Sequence, residues 1–438
     1  MINFLSVVLF KRGTGSISGF QKELSGRHQN LGQWKGYADM SKLLLLGASK
    51  QQIPSILCAK KMGCYVITCD YLPENPGHRY SDEYHNISTT DKESILALSK
   101  KLNIDGIVSY ASDPSAATAA YVAEEMGLPG NPYRSVDILT QKDKFREFLL
   151  EHGFSTPKAM GYFSYEDAKK DFFSFARPVF VKPVDSSGSK GISLVSDIEQ
   201  LKEAFDRAQF FSREKRIIVE ESVSAYLYQV AGDGFSVDGR LVFRCFGNDH
   251  FDSANPNPFV PVAATFPCIM PSEIQTKIHQ EIQRLIGLLH MKTCAYNFDI
   301  RVGNDGKVCL MEVAPRNGGC YIPQVIKYAT GTDMVKYTIN AALGEDCSSL
   351  RSADAKGCYG YFAVHSHRAG ILKNIQIENI VRKKNIIKIY MNQSVGDEIK
   401  SYASSNAAIG IILMKFGSTS EMLEMADRSD KWIQVTVE

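Results

Sequence analysis

The first third of the chain alternates short apolar runs with segments that have the composition of helices. The runs are apolar on both faces, which is typical of strands in a parallel sheet that is covered by helices. Strands are predicted at residues 43–46, 64–70 and 106–109, and helices at 54–61, 92–102 and 116–126. This order predicts an α/β layer with a parallel sheet and right-handed crossovers.

Strands and helices are mixed less regularly in the rest of the chain, which predicts an α+β architecture. Strands are predicted at 179–183, 216–221, 228–237, 241–246, 295–302 and 307–313, and helices at 143–152, 198–208 and 273–289. Residues 359–438 are again rich in strands, with a late helix near 420–426. The 438 residues leave room for about three domains. Residues 1–40 have no sustained period and are treated as an extension of unknown order.

Composition narrows the classes of function. Lysine and arginine outnumber aspartate and glutamate by only two, so nothing favours a nucleic-acid partner. The apolar run at 4–10 is too short to span a membrane, and Lys11 and Arg12 follow it, unlike the order in a secretory signal. The ten cysteines form no CxxC pair and no zinc-finger spacing, which fits free thiols. We therefore expect a cytoplasmic protein without nucleic-acid or membrane partners.

The first layer has only part of a dinucleotide-binding pattern. Gly47 follows the first strand and Asp70 ends the second, but the GxGxxG phosphate turn is missing. A Rossmann-like scaffold that does not bind NAD is therefore predicted.

The strand at 179–183 presents Lys182 and is followed by a loop rich in Gly and Ser at 186–191. A lysine supplies a point charge for phosphate oxygens, and small residues let backbone N–H groups close over them. A hairpin that merely carries a lysine is the alternative. The next strand ends in Glu220 and Glu221, which either present groups to an adenine edge or lead the strand into solvent.

Two apolar strands joined by an Asn-Asp-Gly turn predict a β-hairpin. Pairing Val302 with Lys307 would place Asn297 opposite Glu312, with Asp299 one diagonal step away, so that all three share one face. Carboxylates on one face repel each other unless a cation lies between them, and Mg²⁺ prefers a few carboxylates plus substrate phosphates. Asp299 and Glu312 are therefore candidate metal ligands, and two solvent-facing acids are the alternative.

The loop after this hairpin carries Arg316, followed by Asn317, Gly318 and Gly319. An arginine can hold a carboxylate or a transferring phosphoryl oxygen through two parallel hydrogen bonds. The glycines allow the backbone to approach a ligand closely.

A loop is predicted at 248–252, continuing through three prolines, and it is the candidate for substrate contact. Its His250 could act as a base toward an amine substrate. A solvated loop histidine without a role is the alternative.

Six motifs follow one another in a fixed order. They are Thr140-Gln141-Lys142-Asp143-Lys144, Val181-Lys182-Pro183, Ser187-Gly188-Ser189-Lys190-Gly191, Val219-Glu220-Glu221, Phe298-Asp299 with Glu312-Val313-Ala314-Pro315-Arg316, and Ala329-Thr330-Gly331. Together they resemble the ATP-grasp superfamily across residues 42–345. The whole chain most resembles the branch of L-amino-acid ligases and carboxylate–amine ligases, whose C-terminal region is similar to 360–363, 369–371, 395–397 and 409–411.

The resemblance implies a Rossmann-like domain at 41–139, a two-subdomain ATP-grasp domain at 140–345 and a small strand-rich α+β region at 346–438. It also implies ATP between the two subdomains and Mg²⁺ or Mn²⁺ as the metal. The implied contacts are Lys144 and Lys182 for phosphates; Ser187, Gly188, Ser189 and Gly191 for the lid; Glu220, Glu221 and Val223 for adenine; Asp299 and Glu312 for the metal; and Arg316, Asn317, Gly318 and Gly319 for the substrate, with Arg316 and Lys182 as catalytic residues.

The activity implied by the resemblance joins a small carboxylate to an amine through an acyl phosphate. A bicarbonate-activating carboxylase and a non-catalytic ATP-binding regulator are the rival hypotheses. Relatives commonly form homodimers through the N-terminal domain. Two departures from the family pattern stand out: residues 224–227 offer no acid for ribose, and Ala314 stands where many relatives have Asn.

Overall fold

The computed structural model of the protein describes residues 40–438, and the predicted extension lies outside them apart from its last residue. Its first layer is a parallel sheet in the order β3-β2-β1-β4. The elements are β1 (Lys42–Leu46), α1 (Ile53–Lys61), β2 (Tyr65–Cys69), β3 (Glu83–His85), α2 (Lys92–Leu102), β4 (Gly106–Ser109) and α3 (Asp113–Met126). Leu43 and Leu45 face one hydrophobic cluster, whereas Leu44 and Leu46 face another. Both faces of the sheet are therefore buried, as the apolar runs predicted.

A second sheet is antiparallel, in the order β5-β8-β6-β7. Its elements and the two helices that precede them are α4 (Tyr133–Thr140), α5 (Lys142–Glu151), β5 (Ala159–Tyr162), α6 (Tyr165–Asp171), β6 (Val179–Pro183), β7 (Ser193–Val195), α7 (Ile198–Phe211) and β8 (Ile217–Glu221). Val181 and Val219 belong to the hydrophobic cluster that includes residues of α6 and α7. Because side chains alternate along a strand, Lys182 and Glu220 point to the opposite face.

An eight-stranded antiparallel sheet forms the largest layer, in the order β13-β12-β9-β10-β11-β14-β18-β16. The remaining elements are β9 (Gln229–Val237), β10 (Arg240–Phe251), β11 (Pro261–Phe266), α8 (Ser272–Leu288), β12 (Cys294–Val302), β13 (Val308–Ala314), α9 (Ile322–Thr330), α10 (Met334–Ala342), β14 (Cys358–Val364), β15 (Gly370–Ile377), α11 (Asn379–Lys384), β16 (Ile386–Met391), β17 (Glu398–Ile399), β18 (Gly410–Phe416), α12 (Thr419–Asp427) and β19 (Ile433–Val437). A small sheet in the order β17-β15-β19 completes the C-terminal region.

The predicted mixed fold class is confirmed, and one local prediction is corrected. The loop predicted at 248–252 is wrong, because β10 continues to Phe251 and pairs with β9 and β11. The Pro-rich stretch that follows ends in a strand, β11. Strand β14, from the predicted C-terminal region, pairs with β11 from the preceding predicted domain, so one sheet contains strands from both sides of the predicted boundary.

The expectations about disulfides and about membrane-spanning helices can be compared with the described residues. All ten cysteines lie within residues 40–438, and none of them forms a disulfide there. In that same part of the chain, no helix combines the length and apolar character that crossing a bilayer requires.

Candidate functional site

A cavity of about 340 Å³ is lined by residues from all three layers. The second sheet contributes Lys182, and the large sheet contributes Asp299 and Glu312. Gln51 from the N-terminal layer and Ser405 from the C-terminal region complete parts of its wall. The charged residues singled out in distant parts of the sequence therefore meet around one space.

Asp299 and Glu312 are direct cross-strand partners on β12 and β13. The hairpin pairs Val302 with Val308, and a bulge between Asp299 and Ile300 then shifts the register by one residue. The predicted register, which placed Asn297 opposite Glu312, is therefore wrong. Since opposed side chains on antiparallel strands share a face, the two carboxylates point together into the cavity.

Asp249 also lines this cavity, and its charge acts on Asp299. The sequence analysis placed Asp249 in the predicted substrate loop at 248–252 and not beside the candidate metal ligands. Burial raises the pKa of Asp249 to about 7, although the amide of Gln229, which donates a hydrogen bond over 2.9 Å, and the charge of Arg301 oppose this. Burial, followed by the charges of Asp249 and Glu312, raises the pKa of Asp299 well above its ordinary value. The charges of Asp249 and Glu312 both act on Asp299 despite the nearby charge of Arg316, and this donor set fits a divalent ion.

Lys182 is held at the cavity by a buried ion-pair network. Its Nζ lies 2.5 Å from Oε1 of Glu220, and Nε of Arg146 lies 2.6 Å from Oε2 of the same carboxylate. Burial would raise the pKa of Glu220, but the charges of Arg146 and Lys182 prevail and lower it to about 2. Burial lowers the pKa of Lys182 although Glu220 opposes it. Glu220 therefore orients two cations, and it does not itself line the cavity.

Helix α5 places its basic residues on two different faces. Lys142 and Arg146, four positions apart, line the cavity, and Nζ of Lys142 donates to the carbonyl of Ser186 over 2.8 Å. Lys144 lies about 200° around the helix from Lys142. Its Nζ pairs with Asp137 at 2.6 Å, outside the cavity lining. The structure therefore brings Lys142, and not Lys144, to the position expected for a phosphate contact.

The Gly/Ser loop at 186–191 lies against the C-terminal region. The amide N–H of Ser405 donates to the carbonyl of Gly188 over 3.3 Å. A Cβ on Gly188 would lie 2.4 Å from the Ser405 hydroxyl, and its φ of +67° also favours glycine. Nδ2 of Asn257 donates to the carbonyls of Ser189 and Ala403, over 2.8 and 3.0 Å.

Of the predicted lid residues, Ser187, Gly188 and Ser189 line the cavity. Gly191 does not line it, and a Cβ there would meet the ring of Phe211 at 3.0 Å. Gly191 therefore allows the loop to lie close to α7.

Of the three residues expected near adenine, two line the cavity and one does not. Glu221 and Val223 line the cavity, whereas Glu220 belongs to the ion-pair network that holds Lys182. The lining also includes the apolar residues Phe180, Ile192 and Met311. A flat apolar base could make van der Waals contacts with such residues.

Arg316 is fixed by three side chains before any ligand is considered. Its Nε donates to Asp113 over 2.6 Å, its NH1 donates to Asn297 over 2.8 Å, and its NH2 lies 3.7 Å from Glu312. Burial would lower the pKa of Arg316, but Asp113 and Glu312 raise it. The guanidinium is therefore a permanent, oriented cation at the cavity. Its partner Asp113, from α3, was missed by the sequence analysis.

The residues after Arg316 have two different environments. Gly319 lines the cavity. Asn317 is fully buried and accepts a hydrogen bond from Thr338 over 2.8 Å. The N–H of Gly318 donates to Asp233 over 2.9 Å, and a Cβ there would lie 2.7 Å from that carboxylate. Asn317 and Gly318 thus shape the loop from behind the cavity wall.

His250 lies away from the cavity. It belongs to β10, where alternation turns Asp249 toward the cavity and His250 toward the opposite face. Its Nδ1 lies 2.6 Å from Asp427 and its Nε2 lies 2.9 Å from the hydroxyl of Thr265. The description of His250 as an exposed loop residue is therefore wrong, because its side chain is fully buried.

Comparison with known proteins agrees with this arrangement. The family model described as "ATP-grasp domain" matches residues 175–324, which include Lys182, Asp299 and Glu312. The chain contains an ATP-grasp domain. The similarity of fold extends beyond this domain. An L-amino acid ligase from Bacillus licheniformis superposes over 91% of this chain and 99% of its own, with a TM-score of 0.75 and 19% identity. The predicted resemblance to the ATP-grasp superfamily is confirmed.

Two further proteins similar to this chain act in different reactions by name. A phosphoribosylglycinamide synthetase from Anaerococcus prevotii superposes over 91% of this chain and all of its own, with a TM-score of 0.70 and 22% identity. A formate-dependent phosphoribosylglycinamide formyltransferase from Synechococcus sp. (strain WH7803) is 30% identical over 185 residues, which is 41% of this chain and 47% of the relative. The chain thus spans about half the length of the curated relatives it matches, and the likeness to the solved structures concerns the fold.

Proposed function

We propose that this ATP-grasp protein is an ATP-dependent carboxylate–amine ligase, which forms an amide or peptide bond through an acyl phosphate. The observation that carries the proposal is the meeting of Asp299 and Glu312 with Lys182 and Arg316 around one cavity. Acids that can hold a metal, a lysine for phosphate and an oriented arginine are the groups that phosphoryl transfer to a carboxylate requires.

The acidic wall fits Mg²⁺ or Mn²⁺. Asp299 and Glu312 would hold the ion, because two opposed carboxylates that line one cavity are suitable ligands for it. When bound, the ion would neutralise charge on the phosphate oxygens. Asp249 lines the same cavity, and its charge acts on Asp299.

Other lining residues fit the nucleotide. Lys142 and Lys182 supply positive charge for phosphates, and the loop at 186–191 would cover them. The apolar lining residues Phe180, Ile192 and Met311 suit adenine. The cavity volume of about 340 Å³ lies within the range of ordinary small-molecule sites.

Arg316 is the group proposed to face the reacting carboxylate. An oxygen of the carboxylate attacks the γ-phosphorus of ATP, the bond to the β-phosphate oxygen breaks, and ADP leaves. The amine then attacks the acyl carbon, inorganic phosphate leaves and the nitrogen loses a proton. In both steps the positive charge of Arg316 would stabilise the charged oxygens, and Asp113 and Asn297 hold the guanidinium in place.

A substrate screen tests the proposal. Amino acids and small carboxylates are offered with amines, ATP and Mg²⁺, and ADP release is scored together with product mass. An amide product whose formation matches ADP release supports the ligase. Release that depends on bicarbonate supports the carboxylase instead. Bound ATP without stimulated release by any pair supports a non-catalytic regulator.

A further inference from the structure

Asp252, His365 and His367 form a cluster on a different part of the molecule from the ATP-grasp cavity. One ligand atom from each residue lies within 4.8 Å of those from the other two. Asp252 directly follows β10, and the two histidines directly follow β14. None of the three lines the proposed nucleotide cavity, and all three line a separate surface cavity.

The hydrogen bonds of His365 direct its second ring nitrogen at Asp252. Its Nδ1 lies 2.7 Å from the carbonyl oxygen of Ala363, which can only accept, so Nδ1 donates this hydrogen bond. Nε2 is left to face Oδ2 of Asp252 at 3.2 Å. A divalent cation between these two atoms would be bound by both.

The second histidine completes the same arrangement. Nε2 of His367 lies 2.7 Å from the same Oδ2 of Asp252. Four tetrahedral ligands at about 2.0–2.1 Å from Zn²⁺ lie roughly 3.3 Å from one another. The 3.2 Å separation already matches, and His367, whose side chain is 53% exposed, can move outward to match as well.

The surroundings also resemble those of a metal ligand set. A ligating histidine usually donates its other ring N–H to a carbonyl or carboxylate, as His365 does to Ala363. The second oxygen of Asp252 accepts from the N–H of Ala254 over 2.9 Å, which orients the carboxylate. His365 is nearly buried and His367 is exposed, so one side of the cluster remains open for a water ligand.

We propose that Asp252, His365 and His367 bind one divalent transition-metal ion, with Zn²⁺ as the expected species. Two imidazole nitrogens and a carboxylate oxygen are suitable ligands for Zn²⁺, and water takes the fourth position. The ion joins the start of the segment between β10 and β11 to the chain that leaves β14. That segment contains Asn257, which holds the loop at Ser189.

Zn²⁺ titration of the full chain tests this site after removal of metals with a chelator. Excess Mg²⁺ is present throughout, so that Asp299 and Glu312 are occupied. Calorimetry is expected to give one Zn²⁺ per chain, and the ion is expected to raise the melting temperature. His367→Asn is the main variant because its exposed side chain can be changed without disturbing the core. Its affinity for Zn²⁺ should fall at least about tenfold.

Two further variants make the outcome decisive. Asp252→Asn preserves the side-chain shape and should lose a similar factor in affinity. His290→Asn is the matched control at an exposed histidine and should bind like the wild type. Undiminished binding in both His367→Asn and Asp252→Asn would place the ion elsewhere and overturn the proposal. Absence of saturable binding by the wild type would also overturn it, leaving an ordinary ion pair.

Discussion

Asp299 and Glu312 stand directly opposite each other on β12 and β13, and a one-residue bulge after Asp299 makes this pairing possible. Without the bulge, the register at the turn would bring a different residue opposite Glu312. Bulges re-aim side chains and are frequent beside active sites. The convergence of these two acids is therefore built into the backbone, and it underlies the first prediction.

Glu312→Gln is expected to abolish turnover while the fold remains intact. The substitution keeps the shape of the side chain but removes the negative charge that would hold the metal. ADP release measured with the best substrate pair should fall to background, and the far-ultraviolet circular dichroism spectrum should not change. Normal turnover would exclude Glu312 as a metal ligand.

The two lysines of α5 provide a matched pair for the nucleotide site. Lys142→Ala should weaken ATP binding about tenfold or more, since it removes a charged donor that lines the cavity. Lys144→Ala is the control, because Lys144 pairs with Asp137 on another face of the helix. Calorimetric titration with a non-hydrolysable ATP analogue compares them. A larger loss for Lys144→Ala would reverse the assignment.

Arg316→Lys is expected to lower kcat by a factor of about 10²–10³ and to leave the affinity for ATP nearly unchanged. A lysine keeps the charge but cannot reproduce the fixed fork that Asp113 and Asn297 hold in place. Arg382→Lys, at an exposed position of α11, is the control. Steady-state kinetics separates the effect on kcat from the effect on ATP affinity. An unchanged kcat would exclude a role for Arg316 in the chemical step.

Glu220 gives a prediction about stability and pH. Its pKa falls from an ordinary value of 4.5 to about 2 in the folded chain, so it stabilises the fold above pH 4.5 and loses this effect as the pH drops toward 2. Glu220→Gln leaves Arg146 and Lys182 without their counter-ion. It should cost about 3–5 kcal/mol at pH 7.

Urea unfolding of the wild type and Glu220→Gln at several pH values measures this difference. The gap in the free energy of unfolding should be largest near neutral pH and should narrow between pH 4.5 and 2. A gap that is independent of pH would show that the charge of Glu220 does not stabilise the fold.

Local patterns were sufficient for much of the fold. The strand at 179–183 and the helix at 92–102 have the predicted bounds, because an apolar run and a regular helical pattern each identify their element without tertiary information. The strand containing Asp249 was cut short because its polar residues, Asn248 to His250, were taken for a loop. In the structure they are buried and paired with neighbours on both sides.

The site residues that the sequence analysis missed can be identified only from contacts between distant parts of the chain. Arg316 and Asp113 are 203 positions apart, and no local pattern connects them. The sequence analysis chose Lys144 rather than Lys142 because of its place in a motif. The helical period puts the two lysines on different faces of α5, and only their tertiary contacts show which face meets the cavity. Sequence patterns thus indicated the chemistry of the cavity, whereas tertiary packing decided which member of a motif reaches it.

Binding of Mn²⁺ in the presence of a non-hydrolysable ATP analogue, followed by electron paramagnetic resonance, tests the metal site most directly. The wild type should bind Mn²⁺ together with the nucleotide, and both Asp299→Asn and Glu312→Gln should lose this binding. Equal Mn²⁺ binding by the wild type and both variants would contradict the proposal that these two acids hold the metal.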